Sequence, residues 1–207
     1  MISYGKNNPS FGSSIRISQI AYAKKILDNT FCTNNCIAHP WTIYQSKYLT
    51  KGYSEDASYC TMGVIKNQYG NGFIFHLRPT AEFNKIIENI QRATENLRIK
   101  NHPDSPLTGL LVGGSNLYKP SKNFYNSLIS LFKELNIKHS AFLGQKENPM
   151  RSNHPPFCNL IFDGNADEYI ISPFAKENHN GKLKTLKDLQ EFFETVIIRK
   201  DDTVKFN

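Results

Sequence analysis

No stretch of this 207-residue chain approaches the roughly 18 consecutive apolar residues that a membrane-spanning helix needs. The opening MISYGKNNPSFGSSIRIS lacks the basic start and apolar run of a secretory signal. These two absences lead to the expectation of a soluble, cytoplasmic protein without a membrane partner, with export by a signal-free route left open. No block of five or six like charges occurs, so the usual nucleic-acid tail is missing and nucleic acid is not the expected partner. Cysteine is scarce, at four residues, and without a signal four thiols do not read as a disulfide framework. Each is a candidate core thiol, metal ligand or nucleophile. Internal repeats and low-complexity tracts are also lacking.

What the chain does have is aromatic bulk, fourteen Phe and ten Tyr, with an ordinary 21% of charged residues, so a packed core is expected. Single cores stop growing only near roughly 250 residues, and one main domain suffices here. A formal net charge of +7 favours an acidic partner surface, because a positive field speeds encounter with anionic molecules. Most lysines, such as Lys24, Lys85, Lys133 and Lys187, fall singly within amphipathic patterns and read as solvated faces.

Residues 1–40 read as an N-terminal arm, rich in Ser, Asn and Gly over its first fifteen positions, followed by a short amphipathic helix in ISQIAYAKKILDNTF. Residues 41–207 read as a single domain, although 28–55 carry no clean period. Two β runs then surround Cys60 and His76. Thr80 is placed to cap a helix through AEFNKIIENIQRATENLR, LTGLLV reads as a buried strand stopped by Gly113 and Gly114, and Ser121 precedes a second amphipathic helix. KHSAFLG is a further strand. Asp163 and Gly164 form the turn of a hairpin in NLIFDGNADEYIIS, and a helix over LKTLKDLQEFFETV with a basic tail closes the chain. Helices alternating with hairpins and one crossover give an α/β or α+β class, with mixed β-sheets covered by helices.

Cys60 and His76 lie sixteen positions apart on the two runs of SYCTMGVIKNQYGNGFIFHLRP. In an antiparallel pair, opposed residues have a constant sum. A loop centred on Gln68 sets Cys60 opposite His76, whereas one centred near Tyr69 and Gly70 sets Gly63 there and moves Cys60 along the strand. Phe73, Phe75 and Leu77 load the other face, so the sheet is expected to be covered on both sides. Burial raises a lone thiol's pKa and a neighbouring imidazolium lowers it, so pairing is what would turn a core thiol into a nucleophile. Spacing alone leaves open an inert thiol and a satisfied imidazole.

Cys60 opening a β run, His76, the helix after Thr80, LLVGGSNLY, ELNIKHSAFLG and NLIFDGNADEYII form a succession over roughly residues 54–171. It resembles the chemoreceptor glutamine deamidase (CheD) family and, more distantly, the catalytic domain of cytotoxic necrotizing factor toxins. The resemblance implies a sandwich of mixed sheets flanked by helices and a cysteine amidohydrolase needing neither metal nor organic cofactor. Its substrate would be a glutamine carried by a protein. Cys60 would be the nucleophile, His76 the base, and Ser54 the hydroxyl where the family has a threonine six residues before its cysteine. Ser58 and Thr61 are nearer in sequence and compete for that last role. The pattern departs at Ser58 and Tyr59, where the family has Gly-Ser, and at QKENPMRSNHPP ahead of the last hairpin. The contrasting expectation is a non-catalytic binding or regulatory protein on the same fold, its basic faces engaging an acidic partner.

Three other features carry less. Cys32, Cys36 and His39 have zinc-like spacing, but only Cys158 with His154 could complete four ligands, and no metal is expected. Gly113-Gly114 lacks the lysine of a phosphate loop and reads as a site of close backbone approach or of a tight turn. His102, His139 and His179 belong to no constellation.

Overall fold

Alternating side chains on TMGVIK and GFIFHL are apolar on both faces, a pattern that requires a layer above and another below. The structure, a computed structural model, describes residues 12–18, 50–79, 82–99, 106–146, 158–172 and 183–206. Among them are ten strands: β1 Ser14–Ile17, β2 Lys51–Ala57, β3 Thr61–Lys66, β4 Gly72–Leu77, β5 Leu107–Ser115, β6 Ile137–Gln145, β7 Cys158–Asp163, β8 Glu168–Ser172, β9 Phe193–Ile197 and β10 Thr203–Phe206. Three helices accompany them, α1 Phe83–Ile99, α2 Lys119–Glu134 and α3 Leu186–Phe192.

The class is α+β, with two mixed five-stranded sheets. Sheet A runs β10-β1-β8-β7-β2 and sheet B runs β4-β3-β5-β6-β9. In sheet B, β5 and β6 are parallel and joined through α2, while β3 pairs antiparallel with both β4 and β5. Met62, Val64, Ile74, Leu110 and Val112 point from sheet B toward Ile15, Leu160, Phe162 and Ile171 of sheet A and form the core between the sheets. The alternate residues Ile65, Phe73, Phe75, Leu77 and Leu111 meet Ile90 and Leu97 of α1 and Leu128 and Phe132 of α2. Every residue of β3 and β4 is therefore buried.

Several expectations change. Ser14–Ile17, assigned to an arm and the start of a helix, is a strand held in parallel between β8 and β10. Its alternation of half-buried and buried residues suits a sheet, and beyond Ser18 the expected helix lies outside the described residues, as do Thr80 and the boundary at residue 40. The strand through LTGLLV does not stop at the glycines but runs through both to Ser115. Helix α2 begins at Lys119, with Pro120 in its first turn, so Ser121 lies inside it. The last helix ends at Phe192, and FETVI pairs with β6 instead, because Thr195, Val196 and Ile197 are β-branched and the edge of sheet B is available to them. The basic tail supplies β10. The hairpin around Asp163 and Gly164 stands as expected.

Candidate active site

Residues 58–60 are the short link by which the chain leaves β2 of sheet A and enters β3 of sheet B. Cys60 sits at its end, partly buried against the inter-sheet core.

The β3–β4 register sums to 138, with Met62 opposite His76. Neither anticipated register is adopted. The Asn67 side chain explains this: its Oδ1 accepts hydrogen bonds from the N–H groups of Tyr69 and Asn71, at 2.9 and 3.2 Å, and holds a five-residue loop, residues 67–71, centred on Tyr69. Cys60 precedes Met62 by two and continues its face, so it stands diagonal to His76, where ladder geometry puts Cα atoms about 7–8 Å apart. Thr61 continues the opposite face, toward the helices.

Ser54 lies across the sandwich on β2, and its Oγ is 3.0 Å from His76 Nδ1. Both side chains are buried, at 0% and 4% exposure. A register shift in the β2–β7 ladder between Ser54 and Ala57 makes this possible: the extra residue lets both point inward, which strict alternation would forbid. Of the three candidate hydroxyls, Ser54 is the one that the fold bonds to the imidazole. Ser54→Ala should therefore cost about 1–2 kcal/mol of stability through the lost buried hydrogen bond, with Ser54→Thr close to the parent. Urea unfolding checks it, and an unchanged midpoint would mean that the hydroxyl does not hold the ring.

All four carbonyls of residues 57–60 are bonded into the protein. Gln145 Nε2 donates to Ala57 O at 2.9 Å and to Ser58 O at 3.1 Å, Ser121 Oγ donates to Tyr59 O at 2.6 Å, and the Gly114 N–H donates to Cys60 O at 2.7 Å. Gln145 is itself fixed, its Oε1 accepting from the Cys158 thiol at 3.2 Å. Ser121 also accepts from the Ser115 N–H at 2.9 Å. Gly113 and Gly114 have φ of 101° and 67°, a region open to glycine, and a Cβ on Gly113 would stand 2.7 Å from Cys60 O. The double glycine is thus a site of close backbone approach, as its sequence indicated.

No family model matches this chain, and no curated protein does.

Burial pushes the Cys60 thiol above its ordinary pKa, while the charge of Arg78 and a hydrogen bond from it pull the other way. Cys158 is fully buried and its thiol is pushed well up. It donates to Gln145. Among the described residues no group of three His, Cys, Asp or Glu could hold a metal ion, and Cys32, Cys36, His39 and His154 lie outside them, as do His102 and His179. His139 is lowered chiefly by burial, packs edge-on against Phe132 and lies 3.0 Å from Ile137 O, a structural role. Beside Cys60, Tyr59 and Tyr118 meet edge to face at 5.1 Å and, with Leu117, leave an exposed apolar rim. No described helix is long and apolar enough to cross a membrane.

Sequence reasoning missed Gln145, Ser121 and Arg78. Gln145 follows FLG at the end of a buried strand, and a polar residue there is a signal of an internal hydrogen-bonding duty. Arg78, two positions after His76, was legible as its neighbour on the same strand face.

Proposed function

We propose that this protein is a cysteine-dependent amidohydrolase of the cytoplasm that deamidates a glutamine side chain on a protein substrate, without metal or organic cofactor. The observation that carries this reading is the Ser54–His76 hydrogen bond, made across the two sheets on the face that Cys60 shares. With Nδ1 engaged by Ser54, Nε2 is the ring nitrogen that exchanges a proton with Cys60.

The Cys60 thiolate attacks the carboxamide carbon, and backbone N–H groups at or beside Cys60 bind the oxyanion; losing one such donor typically costs about 3–4 kcal/mol of transition-state stabilisation. The four anchored carbonyls of residues 57–60 keep that turn in place. Collapse breaks the C–N bond, His76 passes its proton to the departing ammonia, and a thioester remains. Water, activated by His76, then attacks the thioester, the sulfur leaves as thiolate, and a glutamate is released. The apolar rim of Tyr59, Leu117 and Tyr118 suits the chain around the target glutamine, and the basic net charge suits an acidic protein surface.

Incubating a soluble protein extract with the parent or with Cys60→Ala, then reading Gln-to-Glu conversion by peptide mass and ammonia release, tests the reading. Specific glutamines converted only by the parent are expected. Equal conversion in both samples, or none in either, would overturn it and leave a binding protein on the same fold. The upward push of burial on the Cys60 thiol is the observation that favours that second reading.

A further inference from the structure

The ladder between β3 and β4 ends at the pair Thr61 and Leu77. Cys60 and Arg78 are the residues next beyond that pair, and the Arg78 side chain hydrogen-bonds the Cys60 thiol. On β4, Ile74 faces the inter-sheet core, and His76 and Arg78 continue that file toward the mouth of the site. The buried imidazole of His76 and the exposed Arg78 thus follow one another along the side of the chain that Cys60 shares, and Arg78 is the one that hydrogen-bonds the thiol.

We infer that Arg78 is a positioning residue for the nucleophile: its guanidinium meets the negative charge on the Cys60 sulfur when the thiol gives up its proton, and again when the sulfur leaves the thioester. Its part in turnover rests on the proposed nucleophilic role of Cys60. The two cations are not redundant. An imidazolium offsets the sulfur's charge only while it keeps the proton, and it must give that proton to ammonia. A guanidinium stays charged throughout the accessible pH range and can donate but not accept, so it cannot serve as base. In the second half-reaction the C–S bond breaks with its electron pair on sulfur while His76 holds the proton from water, and Arg78 meets the charge that appears there. Burial raises the thiol, and Arg78 is the group that opposes it by charge and hydrogen bond.

Among the described side chains around Cys60, β4 brings His76, Arg78 follows the end of β4, β7 brings Cys158, and Tyr59 adjoins it in the chain. The nearby parts of β5 and β6 bring Gly113, Gly114 and Gln145, which do not titrate.

The test is the pH dependence of iodoacetamide alkylation at Cys60, read by peptide mass on the folded full chain, for the parent, Arg78→Met and Arg78→Lys. Removing an opposite charge at this range should move the midpoint up by about one pH unit, a roughly tenfold slower reaction near neutrality. Lysine should restore most of the shift. Buried Cys158 is the internal control for folding, expected to stay unreactive in all three. A profile unchanged in Arg78→Met, or a shift that lysine leaves wholly unrestored, overturns the inference. The readout needs no glutamine. A shift with a parent that converts no glutamine sinks the deamidase alone, and a deamidating parent with no shift sinks the Arg78 role alone.

Discussion

His76→Ala is expected to slow glutamine hydrolysis by about a hundred- to ten-thousand-fold, the usual contribution of a positioned general base. The variant retains Cys60, its anchored turn and Arg78, so what it loses is the group proposed to take the thiol proton and deliver it to ammonia. Ser54→Ala should lose less, because the hydroxyl works only by orienting the ring. The double variant should then be no slower than His76→Ala, since residues acting as one unit are not additive. Ammonia release at saturating substrate measures all four proteins. Parent-like turnover in His76→Ala would remove the base from the mechanism. A double variant slower still would give Ser54 a part of its own.

The second large effect is one of stability. Gly114→Val should destabilise the fold by roughly 4 kcal/mol, combining a side chain forced into positive φ with overpacking, each worth about 1–3 kcal/mol. A Cβ there would stand 2.6 Å from the Tyr125 ring. That ring is held in turn, because Tyr125 OH donates to Glu194 at 2.8 Å and Glu194 also pairs with Lys122. The same glycine donates to Cys60 O, so any shift that relieves the clash moves Cys60. Urea unfolding at constant slope reads the loss, and a change under about 1 kcal/mol would show that β5 yields easily here.

The hydrophobic stripes made the two long helices and the buried strands legible, because burying one face fixes the period of apolar residues. Register was not legible to the residue. The two anticipated sums straddle the one adopted, and the choice was made by a side chain, Asn67, that closes the loop on itself. The end of the last helix was missed because Phe192, Phe193 and Val196 fit a helical stripe and a strand alike, and only the edge of β6 decides between them. Ser54 came from the family resemblance and not from spacing, since a partner 22 residues away in the opposite sheet leaves no periodic trace. Gln145 left even less, its duty being defined by carbonyls 87 and 88 residues earlier.

The division of the site between sheets also bears on when it forms during synthesis. Cys60 and His76 belong to one hairpin, a contact local enough to close early. Ser54 is carried by β2, which is fixed by β7, and sheet A is complete only when β1 lies between β8 and the final strand, β10. A chain still emerging from the ribosome therefore carries its thiol and imidazole before the hydroxyl that bonds the imidazole is locked in place. The sheet that carries Ser54 to His76 thus draws on strands from β1 to β10, whereas Cys60 and His76 need only the β3–β4 segment.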